Sequence, residues 1–109
     1  MTIKYIMVMT TLPTKEDAQT ICKLVLNKSL AACCQIIGPI ESHYIWKNRV
    51  EVNNEYLCLM KTIKARYKPI EKLIKKAHSY TLPEIIAVDI PKGYYLYLNW
   101  IEKSTKKCK

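Results

Sequence analysis

Two extended apolar runs fold back on each other between residues 30 and 62, and this hairpin limits the fold more than any other feature. Leu30 to Ile37 is the first run. Gly38-Pro39 interrupts it, which reads as a bend or bulge inside one long strand, and Ile40 to Trp46 resumes it. Lys47-Asn48-Arg49 is a hairpin turn in which Asn48 can take a positive φ. Val50 to Thr62 then returns as a second long strand. At 109 residues the chain has the length of one domain. Such a domain does not need so long a hairpin for its own core. By strand alternation Tyr44 and Trp46 share a face, and on a projecting hairpin they need a partner to cover them.

The remaining elements close a simple order around this hairpin. Ile3 to Thr10 is a strand with apolar residues on both faces, expected to be central and buried on two sides. Thr14 is a good N-cap, and Ala18, Ile21, Cys22, Val25 and Leu26 repeat at helical spacing. Residues 66 to 77 form a second helix, with Tyr67, Ile70, Leu73, Ile74 and Ala77 on its apolar stripe and Pro69 harmless in its first turn. Residues 84 to 90 read as a strand apolar on both faces, and Tyr94, Tyr97, Leu98 and Ile101 as a short final helix. The order is β-α-β-β-α-β plus a helix: an α+β, ferredoxin-like split sandwich with helices on one face of an antiparallel sheet. Residues 1–103 are read as that single domain and residues 104–109 as a basic flexible tail.

Composition narrows the function classes. The net charge is +9, but among eighteen basic residues only Arg49 and Arg66 are arginine, the residue favoured for bidentate phosphate and base recognition. A solvated lysine surface is the reading, with no specific nucleic-acid partner. No apolar run spans a bilayer, so no membrane partner is expected, and no targeting segment is read at the N-terminus. The five cysteines, Cys22, Cys33, Cys34, Cys58 and Cys108, form an odd and irregular set. That is a poor disulfide framework and suits a reducing compartment, so a cytoplasmic protein is expected. Adjacent Cys33 and Cys34 point to opposite strand faces. Two glycines exclude a Gly-rich phosphate loop, and His43 and His78 lack zinc-protease spacing.

The stretch His78-Ser79-Tyr80-Thr81-Leu82-Pro83-Glu84 gathers an imidazole, a phenol and a carboxylate before a strand. His78 at a helix C-terminus is also favoured by the helix dipole. A buried Glu84 needs a cation, and Lys61 is the candidate. These residues, with Leu30-Ala31-Ala32-Cys33, Ser42-His43-Tyr44-Ile45-Trp46, Glu51, Glu55, Lys61-Thr62, Pro83-Glu84-Ile85, and Gly93 through Tyr97-Leu98-Asn99-Trp100, resemble the CutA family of divalent-cation tolerance proteins. They occur in family order over nearly the whole chain. The resemblance implies a homotrimer whose long hairpins pair across subunits. It also implies an intersubunit pocket near Tyr44, Trp46, Lys61, Tyr80 and Glu84, and a role in copper or other divalent-cation tolerance. No organic cofactor and no catalysed reaction are implied. Bacterial copper sites of the family use a first-strand cysteine and a His-His pair; here Thr10 and Ala77-His78 stand there. The metal-ligand candidates are therefore His78 and Cys33. The alternative, by fold analogy alone, is a PII-like signalling trimer binding a small anionic metabolite near Lys61. An RNA-recognition module lacks its basic-Gly-aromatic strand, and an enzyme built on Glu84, His78 and Tyr80 has no substrate signal.

Overall fold

The computed structural model describes residues 2–106. The elements are β1 (Tyr5–Leu12), α1 (Lys15–Asn27), β2 (Cys33–Trp46), β3 (Arg49–Ile63), a 3-10 turn (Lys64–Arg66), α2 (Tyr67–Ala77), β4 (Ile86–Asp89) and α3 (Tyr95–Ser104). They form the expected α+β arrangement, with one antiparallel sheet in the order β2-β3-β1-β4. Local chemistry sets the boundaries. The Asp17 amide donates to Thr14 Oγ1 at 3.0 Å, which caps α1. Pro69 occupies the third position of α2, where no intrahelical donor is needed.

The core lies between one face of the sheet and the first two helices. Ile6 and Val8 of β1 and Cys58 and Met60 of β3 pack on Ala18, Ile21, Cys22 and Val25 of α1 and on Ile70 and Ile74 of α2. The other face of β1, Tyr5, Met7 and Met9, is only half-buried. Two-sided burial of β1 is therefore not completed within the chain. The last strand departs further from expectation. Residues 84 to 90 read as a strand buried on both faces, yet β4 has four residues and is exposed throughout. The topology explains this, because β4 is an edge strand paired only to β1.

The hairpin is as long as its sequence implies. β2 and β3 pair from Cys33↔Lys61 to Trp46↔Arg49, with a register shift between Ile37 and Ile40 at the cis Gly38-Pro39 bond. A Cβ on Gly38 would lie 2.5 Å from the Tyr56 ring, so only glycine fits this crossing. The turn is one residue tighter than Lys47-Asn48-Arg49. Lys47 and Asn48 have φ of 51° and 64°, the mirror-image geometry that matches strand twist, and Arg49 already pairs. β1 ends opposite Tyr56. Beyond that point residues 40–55 form a two-stranded ribbon, with no third strand among the described residues. Its apolar side chains are bare: Ile45 is 76% and Val50 74% exposed.

Two expectations about the chain's chemistry are corrected. No disulfide was expected, yet Cys22 and Cys34 are joined. The apolar face of α1 carries Cys22 onto the core face of β2, where Cys34 points; linear spacing does not reveal that approach. At the other end, order extends past residue 103. Thr105 is fully buried, and its carbonyl accepts a hydrogen bond from Arg66 Nε at 2.7 Å. Residues 107–109 of the expected tail, Cys108 among them, lie outside the described residues.

Candidate functional site

The sequence candidates fall into two groups. The first forms where α2 ends against the far part of β1. His78 caps α2, and its Nε2 donates to the Thr11 carbonyl at 2.8 Å. The Tyr80 backbone N–H donates to His78 Nδ1 at 3.0 Å. With one nitrogen donating and the other accepting, the imidazole is the neutral Nε2–H tautomer, and both nitrogens are occupied. The Tyr80 ring lies 4.8 Å from the imidazole, centre to centre, and its hydroxyl donates to Glu55 Oε2 at 2.8 Å.

Glu55 is buried on the ribbon side of β3 and anchors this group. Burial, then the hydrogen bond to Glu55 and its charge, push the Tyr80 hydroxyl well above the ordinary phenol range, so it stays a donor. Partial desolvation and then the charge of Glu55 also raise the carboxyl of Glu84, a residue that stays exposed to solvent. The cation expected for Glu84 is not there: its charged neighbour is a second carboxylate. Tyr44 borders the group and accepts from Asn53 Nδ2 at 2.5 Å, while Trp46 lies further out and partly exposed. A cavity of about 50 Å³ beside His78, lined also by Leu12, Asp17, Thr20 and Ile21, is far too small for an organic ligand.

The second group lies at the opposite end of β3. Cys33 and Lys61 are cross-strand partners. Lys61 Nζ donates to Gln35 Oε1, and Cys33 Sγ lies 3.7 Å from the Tyr97 hydroxyl of α3. Cys34 faces α1, so Cys33 and Tyr97 are on the sheet face away from it. Glu55 and Lys61 are six residues apart on β3, about 20 Å at the rise of an extended strand. The chain therefore brings His78, Tyr80, Glu55 and Glu84 together, and Cys33 with Lys61, but not the two groups to one another.

Sequence reading picked out Glu55 only through the family resemblance and missed it as the acceptor for Tyr80. It also missed a sulfur cluster. Among the described residues, the only three His, Cys, Asp or Glu ligand atoms close enough to share one ion belong to Cys22, Cys34 and Cys58, within 4.8 Å of one another.

Comparison with known proteins bears on what these groups serve. Residues 6–104 match the family of the CutA1 divalent ion tolerance protein. The divalent-cation tolerance protein CutA of Thermus thermophilus is 37% identical over 98 residues, covering 90% of this chain and 95% of that protein. Protein CutA 1, chloroplastic, of Oryza sativa subsp. japonica is 34% identical over 106 residues; the match covers 97% of this chain but 60% of that longer protein. The solved structure of the periplasmic divalent cation tolerance protein CutA of Archaeoglobus fulgidus superposes with a TM-score of 0.91 at 33% identity, covering 94% of this chain and 99% of that one. These relatives overturn the cytoplasmic expectation. Chains this similar are chloroplastic in one organism and periplasmic in another, so fold and charge do not define a compartment. Among the described residues no helix is long and apolar enough to cross a membrane.

Proposed function

The chain belongs to the family of CutA1 divalent ion tolerance proteins, and from that premise we propose that it acts in cation tolerance as a homotrimer binding a divalent cation, copper foremost, between subunits. The observation that carries this reading is the pair of bare apolar surfaces at opposite edges of the sheet. One is the ribbon of Tyr44, Ile45, Trp46, Val50 and Val52. The other is the β4 edge with α3, where Ile86, Val88, Tyr94, Tyr95, Leu96 and Trp100 are exposed. A free two-stranded ribbon is marginal in water. Two different patches that cover each other make a head-to-tail contact, and such contacts close into rings. Three subunits are the smallest such ring.

The ring also resolves the separation of the site residues. Within one subunit His78 and Cys33 are held apart along β3, so one subunit cannot supply both ligands to one ion. The His78–Tyr80–Glu55–Glu84 end of one subunit and the Cys33–Lys61 end of the next form the site, with Tyr44 and Trp46 lining the seam. His78 gives up one of its two hydrogen bonds to bind, and the two carboxylates favour a cation nearby. The cation supplies the response; the protein binds it and catalyses no reaction.

The test is calorimetric titration of metal-free protein, its Cys22–Cys34 bond intact, with Cu(II), and with Zn(II) as a redox-inert control. We expect saturable binding of about one ion per subunit, lost in His78→Ala and weakened in Cys33→Ser. Binding unchanged in both variants, or none in the wild type, contradicts the reading. A trimer that ignores both metals but is stabilised by small anions would belong to the PII-like alternative.

A further inference from the structure

The sulfur cluster lies in the core, on the sheet face opposite Cys33, and neither candidate group includes it. Cys22 comes from the buried face of α1, Cys34 from β2 and Cys58 from β3. Ile36 is the cross-strand partner of Cys58, so Cys34, two residues earlier on the same face, is its diagonal neighbour. α1 lies over both. Cys22 and Cys34 are bonded, and Cys58 Sγ stands 4.0 Å from Cys22 Sγ. Metal–sulfur bonds of about 2.3 Å set the sulfurs of a trigonal site about 4.0 Å apart. The Cys22–Cys58 pair already has that separation, all three sulfurs lie within 4.8 Å of one another, and the bonded Cys22–Cys34 pair parts on reduction.

From this we infer that reduction of the Cys22–Cys34 bond opens a buried three-thiolate site for a soft cation, Cu(I). Ligand type selects the ion, since thiolates prefer Cu(I), zinc and iron–sulfur iron over hard cations. Coordination number narrows it further. Structural zinc takes four ligands, and among the described residues three cysteine sulfurs converge here. Cys58 is 0% and Cys22 8% exposed, so two of the three sulfurs are shielded from water. Thr10, the cross-strand partner of Cys58 on the same face, has a fully buried hydroxyl with no hydrogen-bond partner. It is an unspent polar atom beside the sulfurs. Cys58 gives up only a weak 3.7 Å contact with the Ala18 carbonyl.

The chemistry balances in two steps. A dithiol reductant passes two electrons and two protons to the Cys22–Cys34 bond; the S–S bond breaks, two thiols form, and the reductant closes its own disulfide. Cu(I) then binds, and each coordinating thiol releases its proton to solvent. Half-buried Cys34 is the route in. The same three residues thus have a closed, metal-free oxidised form and an open reduced form. This site is independent of the intersubunit one.

The test uses the full chain carrying Cys33→Ser and Cys108→Ser, so that only these three cysteines remain. It is reduced, freed of reductant, and titrated anaerobically with Cu(I) against a Cu(I)-selective chelator. We expect one Cu(I) per subunit, three sulfur neighbours by X-ray absorption, and no uptake by the same chain in its disulfide form. Cys58→Ala should release the ion at chelator concentrations that leave the parent loaded, while His78→Ala should keep it. No uptake by the reduced chain, equal uptake by the disulfide form, or retention in folded Cys58→Ala would overturn the proposal. If Cys58→Ala does not fold, the comparison of reduced with oxidised parent and the sulfur count still decide it. Loss of the Cu(II) site with His78 leaves this result untouched, so the two proposals fail separately.

Discussion

Single residues show how much chemistry here depends on neighbours that the sequence does not name. Thr10 is fully buried, and its hydroxyl has no partner. An unmatched buried hydroxyl costs about 1–3 kcal/mol. Thr10→Val keeps the shape and removes that group, so chemical denaturation should show a gain of about 1 kcal/mol. Glu84 gives a pH-dependent case. Partial desolvation and the charge of Glu55 raise its folded carboxyl above the ordinary 4.5. Its favourable contribution is therefore complete below about pH 4.5 and is lost as pH rises through the raised value. Glu84→Gln should raise the melting temperature of metal-free protein at pH 7 and leave it nearly unchanged at pH 4. An equal shift at both pH values would show that charge is not the cause. The partner of Glu84 was not legible beforehand. Lys61 was the candidate cation, but strand register places it about 20 Å along β3 from Glu55. The Cys22–Cys34 contact was hidden for a similar reason, since it depends on where α1 lands on the sheet.

At the scale of elements, sequence was a better guide because local chemistry decides local structure. The Thr14 cap, the helical stripes, the bulge at Gly38-Pro39 and the positive φ of Asn48 are all set by residues within a few positions. The burial of β4 was not legible. Its apolar residues fit a central strand, and only the strand order makes it an edge. Two substitutions check the local account. Thr14→Ala should cost about 1 kcal/mol by removing the acceptor for the Asp17 amide. Asn48→Val should cost about 1–2 kcal/mol, because a β-branched side chain is forced to a φ of 64°. Both are read by urea titration, with circular dichroism confirming that the fold is retained.

The whole molecule is where the subunit stops explaining itself. Its ribbon, its β4 edge and the half-covered face of β1 are apolar surfaces that one chain leaves open, and the two halves of the candidate site sit apart along β3. The projecting ribbon was legible from hairpin length alone, since the paired runs outlast what one core needs. Which surfaces would cover it was not, because that depends on shapes formed only after folding. Replacing Tyr44 and Trp46 together by aspartate puts charge into the proposed seam. It should yield single folded chains that no longer bind Cu(II) but still take up Cu(I) through the reduced core cysteines. The most direct test is multi-angle light scattering of the full chain across micromolar concentrations. The account predicts the mass of three chains, unchanged on dilution. The mass of a single folded chain would contradict it, because the bare surfaces and the divided site would then have no partner.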